Sequence, residues 1–167
     1  MSPASPWLGA IRLALPALAE VFRPDLVVSQ HGSDAHAWDP LAHLRVTTTA
    51  MSEAARLVDR IAHDHASGRW LSTGGGGYEV YRVVPRAWTL VWLAAAHREV
   101  PVETPVGWRQ RWAADALRHD GGPLPERLLD EPNAGLTRGP GQVAAAREAE
   151  AMAAGVVDRA LEALRRR

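Results

Sequence analysis

The sequence predicts an α/β fold with adjacent parallel strands and a helical C-terminal tail. Two observations carry this expectation. Short apolar runs at residues 26–30 and 69–73 flank a segment of helical periodicity, an order that implies a right-handed strand–helix–strand unit. Each run then passes into a glycine-bearing loop. The first loop reads His31-Gly32-Ser33-Asp34-Ala35-His36-Ala37-Trp38-Asp39-Pro40-Leu41, and the second ends Gly74-Gly75-Gly76-Gly77-Tyr78. In open parallel sheets ligands bind beyond the carboxyl ends of the strands. Asp34 and Tyr78 fall there, a carboxylate suited to a metal and a phenol suited to a developing oxyanion.

The elements follow in order. Residues 7–22 place Leu8, Ile11, Leu15, Leu18 and Phe22 at near-helical spacing, with Pro16 expected to kink or break the helix. Arg23-Pro24-Asp25 is a turn before the first strand. Thr47 to Thr49 offer a helix cap, and Met51, Ala54, Ala55, Val58, Ile61 and Ala62 then share one face until residues 64–68 end the helix. Residues 81–97 read as a third helix with Val84, Trp88, Val91, Trp92 and Ala95 inward and Pro85 in its first turn. Residues 101–105 are a linker, and residues 107–119 a further helix. Residues 120–141 are rich in Gly and Pro and read as an irregular loop. The Ala-rich residues 142–167 form the last helix, with Arg165, Arg166 and Arg167 at its carbonyl end.

A chain of 167 residues can bury one core, and the 47% hydrophobic content is that of a globular domain. Lys+Arg and Asp+Glu both number 19, so the balance argues against a nucleic-acid binder. Cysteine is absent, which rules out a disulfide or thiolate site and leaves His and carboxylates to hold any metal. No segment has the length and apolarity of a membrane span, and the first six residues lack the basic start of a signal peptide. A cytoplasmic protein is expected. The tryptophans spaced i, i+4 (Trp88 and Trp92, Trp108 and Trp112) read as packing anchors.

Each chemical motif has a plainer reading beside it. The glycine run at residues 74–77 could cradle a phosphate, but it lacks the Lys-Ser/Thr of a P-loop and the spacing of a dinucleotide fingerprint. Four successive glycines exceed the needs of a turn and would admit close approach of a substrate. His31 and His36 read as ordinary loop histidines, because one loop rarely supplies a whole metal site. Asp39 is expected to order its loop through hydrogen bonds to backbone. His63, His65, His97 and His119 read as incidental, since His63 and His65 do not share a helix face.

Taken in order, the two loops resemble those of the zinc-dependent histone deacetylase family, including its bacterial acetoin-utilisation-type members. The resemblance rests on Gly32-Ser33-Asp34, Asp39-Pro40-Leu41 and Gly74-Gly75-Gly76-Gly77-Tyr78, with looser likeness at Phe22-Arg23-Pro24-Asp25 and Arg86-Ala87-Trp88. It implies the arginase/deacetylase fold and zinc-dependent hydrolysis of an acyl-lysine or small acyl-amine amide. By that likeness Asp34 is a zinc ligand and Tyr78 binds the acyl oxygen. Gly76 and Gly77 line the substrate channel, and Asp39 supports the loop.

The family's paired histidines and its Asp-x-His zinc ligands have no counterpart before Asp34. The chain therefore resembles the C-terminal part of a doubly wound parallel-sheet deacetylase domain, over residues 1–105, with residues 106–167 as a tail. Zinc held weakly or not at all, and inactivity of the chain alone, are the corresponding expectations. An N-terminal half supplied elsewhere, or self-association, would then complete or cover the fold. A non-catalytic binding module and a phosphate site are the alternatives.

Overall fold

The computed structural model describes residues 6–42, 44–131 and 140–166. Residues 1–5, His43, residues 132–139 of the Gly/Pro-rich stretch and Arg167 lie outside the described residues. Seven elements run in the order α1 (Pro6–Phe22), β1 (Val27–His31), α2 (Thr48–Ala66), β2 (Trp70–Gly74), α3 (Val84–Ala95), α4 (Val106–His119) and α5 (Pro140–Arg165). Among these residues the sheet has two strands, β1 and β2. They pair in parallel from Val27 opposite Trp70 to His31 opposite Gly74. Both strands thus end at the same edge, and their following loops lie side by side.

α2 is the centre of the helical layer, packed against α1, α3 and both strands. Its inward face carries Ala50, Met51, Ala54, Ala55, Val58, Ile61 and Ala62, all buried. The many alanines let neighbouring helices approach closely. Leu8 of α1, Val46, and Ala87 of α3 join Ala50, Met51 and Ala54 in one cluster, while Ala55, Val91 and Ala94 form a second beneath Trp70. Thr47 caps α2 by accepting a hydrogen bond from the Ala50 amide at 3.2 Å. α5 lies along α1.

Two sequence expectations are corrected. α1 runs through Pro16 without a break. Proline removes one amide donor there, and the carbonyl it would have met belongs to the exposed Arg12, where water can serve it. The buried face of α3 is Arg86, Ala87, Leu90, Val91, Leu93 and Ala94, whereas Trp88 and Trp92 are exposed. α3 is covered from two sides, by α2 and by the chain at residues 124–129, where Leu128 meets Leu90 and Leu93. That second cover rotates the inward face away from the tryptophans.

The residue after this segment, Asp130, has a heavily bonded carboxylate. Asp130 Oδ2 accepts from His36 Nε2 and from the Thr48 amide, both at 2.8 Å. Its Oδ1 accepts from Arg86 Nη1 at 2.8 Å, and its own amide donates to Thr48 Oγ1 at 2.8 Å. Arg86 and His36 are fully buried. Burial alone would raise the Asp130 pKa, but the bonds from His36, Arg86 and the Thr48 amide outweigh it and hold the carboxyl far below the usual range.

Asp130→Ala strands the Arg86 charge in the core and is expected to cost about 3–5 kcal/mol, read by urea unfolding. Arg127→Ala, which breaks only the exposed pair with Glu131, should change stability by less than about 0.5 kcal/mol. The Asp130 contribution is fully present above the ordinary Asp pKa of about 3.9 and is lost as pH falls below it. The acid limb of a pH–stability profile should therefore flatten in the variant.

Candidate functional site

Because β1 and β2 end in register, the loop at residues 32–39 and the glycine run meet beyond the sheet edge. The Ser33 amide donates to the Gly76 carbonyl at 2.5 Å. A side chain at Gly76 would collide with the Asp34 carboxylate, and one at Gly77 would strike Ser33 and Val84. The glycine run is thus the floor on which Asp34 rests. Among the described residues the Asp34 carboxylate has no hydrogen bond or ion pair, and it is half-buried.

Asp39 joins the loops from the other side. It is buried, and its carboxylate accepts from the Leu41 amide and the Tyr78 amide, each at 2.9 Å. Residue 78 is thereby tied to the Asp34 loop through its backbone, while its ring is half exposed. Trp88 closes the end of the strands. Its ring lies against Gly74, and its Nε1 donates to the His31 carbonyl at 3.0 Å. Sequence reading treated Trp88 as core; the structure puts it beside the site.

The two loop histidines are engaged elsewhere. His31 Nε2 lies 2.7 Å from Ser29 Oγ, and burial lowers the pKa of the ring. His36 accepts from the Trp38 amide on Nδ1 and donates from Nε2 to Asp130, so both its nitrogens are committed. No group of three His, Asp or Glu ligands forms around Asp34 among the described residues. Of the ligand-type side chains on this loop only Asp34 is left without a partner among the described residues, and a metal site needs three or more. A phosphate fits poorly at the glycine run. It would meet the Asp34 carboxylate, and residues 78–83 separate the run from the amino end of α3.

Glu79, which sequence reading passed over, is buried behind Tyr78. Burial pushes its carboxyl up to about 7 against the opposing pull of Arg82, with Asp120 and Asp39 adding to the rise. Arg82 in turn lies over the Trp38 ring at 4.2 Å and donates to the Asp120 carbonyl at 2.8 Å. Asp120 also accepts from the Tyr81 and Arg82 amides, which fixes the turn after Tyr78. No signal in the sequence distinguishes this glutamate from a surface one.

Two measurements follow. The folded chain keeps a proton on Glu79 that the unfolded chain releases near 4.5, so stability should fall as pH rises from there to about 7. Glu79→Gln should remove a decline on the order of 1 kcal/mol from that profile. Gly76→Ala should destabilise by about 1–3 kcal/mol in thermal unfolding. Gly107→Ala, where an added methyl meets nothing, should be neutral or stabilising.

Comparison with known proteins agrees with this geometry. Residues 3–95 match the family model described as Histone deacetylase domain. The acetoin utilization protein AcuC of Bacillus subtilis (strain 168) is 42% identical over 106 residues, 64% of this chain and 27% of that protein. AcuC of Staphylococcus xylosus is 39% identical over 92 residues, 54% of this chain and 24% of that protein. The chain thus spans about a quarter of the length of these curated relatives. A crystal structure of an HDAC homolog complexed with SAHA superposes with a TM-score of 0.65. It covers 91% of this chain and 40% of its own at 23% identity, which speaks for the fold. Neither a phosphate-binding loop nor a stand-alone binding module is favoured by these relationships: with its two loops meeting at one sheet edge, the chain belongs to the histone deacetylase domain family.

Proposed function

We propose that this chain carries one wall of a zinc-dependent amide hydrolase site for acyl-lysine or small acyl-amine substrates, and that it is inactive alone. The observation that supports this most is the Asp34 carboxylate, without a protein partner among the described residues and seated on Gly76 where only a glycine fits. The residues present do not close a zinc site, because Asp34 is a single ligand. When bound in a complete site, zinc would polarise the amide carbonyl and acidify its water.

The chain's own residues have defined parts in this reading. The Tyr78 phenol would donate to the acyl oxygen as negative charge develops on it. Asp39 would hold Tyr78 in place through the 2.9 Å bond to its amide. Gly76 and Gly77 would leave a narrow passage for the acyl chain. The missing ligands and the general base would come from a separate segment seated beside β1. An apolar groove of about 590 Å³, lined by Leu15, Leu18 and Phe22 of α1 together with Val28, lies open there. A cytoplasmic location belongs to the same reading and is checked by cell fractionation.

The test uses two proteins. The chain alone, supplied with zinc, should not hydrolyse an acetyl-lysine peptide. A chimera in which residues 1–131, Asp130 included, replace the matching segment of the Bacillus subtilis relative should hydrolyse it, measured beside that unaltered relative. In the chimera Asp34→Ala should abolish turnover, and Tyr78→Phe should lower kcat by about 10²–10³. A folded but inert chimera beside an active relative would overturn the reading, as would full activity of the chain alone.

A further inference from the structure

The opposite edge of the sheet carries a second cluster of ligand-type side chains. The topology puts it there: the strands run toward the Asp34 loop, whereas α2 and α3 run back from it. Asp59 and His63 are one turn apart on α2, and His97 follows the end of α3. In sequence these histidines read as incidental, since His63 and His65 do not share a helix face and His97 lies 34 residues beyond His63. In the structure His63 Nε2 and His97 Nε2 are 3.2 Å apart. Asp59 Oδ1 lies 3.3 Å from the His97 nitrogen and 3.6 Å from that of His63.

We propose that Asp59, His63 and His97 form a surface site for a tetrahedral zinc ion that clips α2 to α3. The spacing admits one small ion, and the ligand types carry the choice of metal. Ligands about 2.05 Å from a tetrahedral ion stand about 3.3–3.4 Å from one another, whereas cis ligands of an octahedral ion at a similar bond length stand near 3.0 Å. The three observed separations, 3.2, 3.3 and 3.6 Å, bracket the tetrahedral value. Two imidazole nitrogens and one carboxylate suit zinc rather than magnesium or calcium, which take oxygen ligands. Solvent would fill the fourth position.

Independent features hold the three groups in place. α2 and α3 are locked together by Ala55, Val91 and Ala94. The His63 ring lies against Gly68, where an added Cβ would come within 3.0 Å of it. His97 occupies the left-handed position after the α3 cap, with φ of 52°. The Arg98 amide returns to the Leu93 carbonyl at 2.9 Å, and the His97 amide to Ala94 at 3.1 Å. Glycine is the usual residue in that motif. Here an imidazole takes the position, and the local twist turns it onto the Asp59–His63 pair. The Asp59 side chain is largely sheltered at 17% exposure, so its carboxylate is partly desolvated.

The untagged chain should be titrated with zinc chloride by calorimetry, with cobalt(II) as an absorbing probe of tetrahedral geometry. One zinc per chain is expected, together with a tetrahedral cobalt spectrum. At about 100 times Kd, zinc should raise Tm by at least about 5 °C. His63→Gln, His97→Gln and Asp59→Asn should each weaken binding by at least about tenfold while leaving the metal-free circular dichroism unchanged. Asp34→Ala should bind as the parent does. Failure of the parent chain to bind zinc would overturn the proposal and leave a hydrogen-bonded cluster only. So would binding that Asp34→Ala abolishes and the histidine variants retain. The Asp34 variant and the histidine variants report on different edges of the sheet, so this proposal and the catalytic reading can fail separately.

Discussion

A single buried carboxylate, Asp130, ties three separate pieces of chain to one point. It binds His36 in the loop after β1, Thr48 at the start of α2 and Arg86 at the start of α3. Each is a point where the chain changes direction on the way into or out of the strand–helix–strand unit. The desolvation of the Asp130 carboxylate is offset by its three donors, while Arg86 Nη2 stays buried without a hydrogen-bond partner. The position of the Asp34 loop therefore depends on a residue 96 positions later in the sequence. It rests on an ionic arrangement as much as on the apolar core.

The second organising constraint is the strand register. Pairing His31 with Gly74 brings two loops of different composition to one edge, and their backbones interlock through Ser33 and Gly76. The sheet itself is thinly covered. Val28 and Leu71, opposite one another in the register, are both exposed on a face that parallel sheets ordinarily bury. The outer edges of both strands also offer unpaired peptide groups among the described residues. An apolar sheet face of this kind is the mark of a surface that packs against further chain.

Much of this arrangement was readable in the residues. Both strands lie within one residue of the apolar runs, and α2 begins at its threonine cap, because local patterning decides those features. Arginine 86 is the reverse case. It fits the resemblance loosely, but nothing local says that it is buried with an aspartate from a Gly/Pro-rich stretch. The inward face of α3 differs from its helical spacing for a similar reason: its second covering layer, around Leu128, arrives from the irregular loop and leaves no periodic trace. Glu79 and the His63–His97 pair depend on side chains converging from separate elements, which spacing along one helix does not reveal.

The glycine run is filled from outside at every step. Trp88 lies over Gly74, Gln30 over Gly75, Asp34 over Gly76 and Ser33 over Gly77. Any single replacement in this stretch meets a neighbour that is already in place, so an added side chain makes that neighbour shift or change with it. Steric occupancy alone can therefore freeze this signature in descendants of the fold, including ones that have given up catalysis. The motif testifies to ancestry, and the chemistry has to be read from the groups that stand around it.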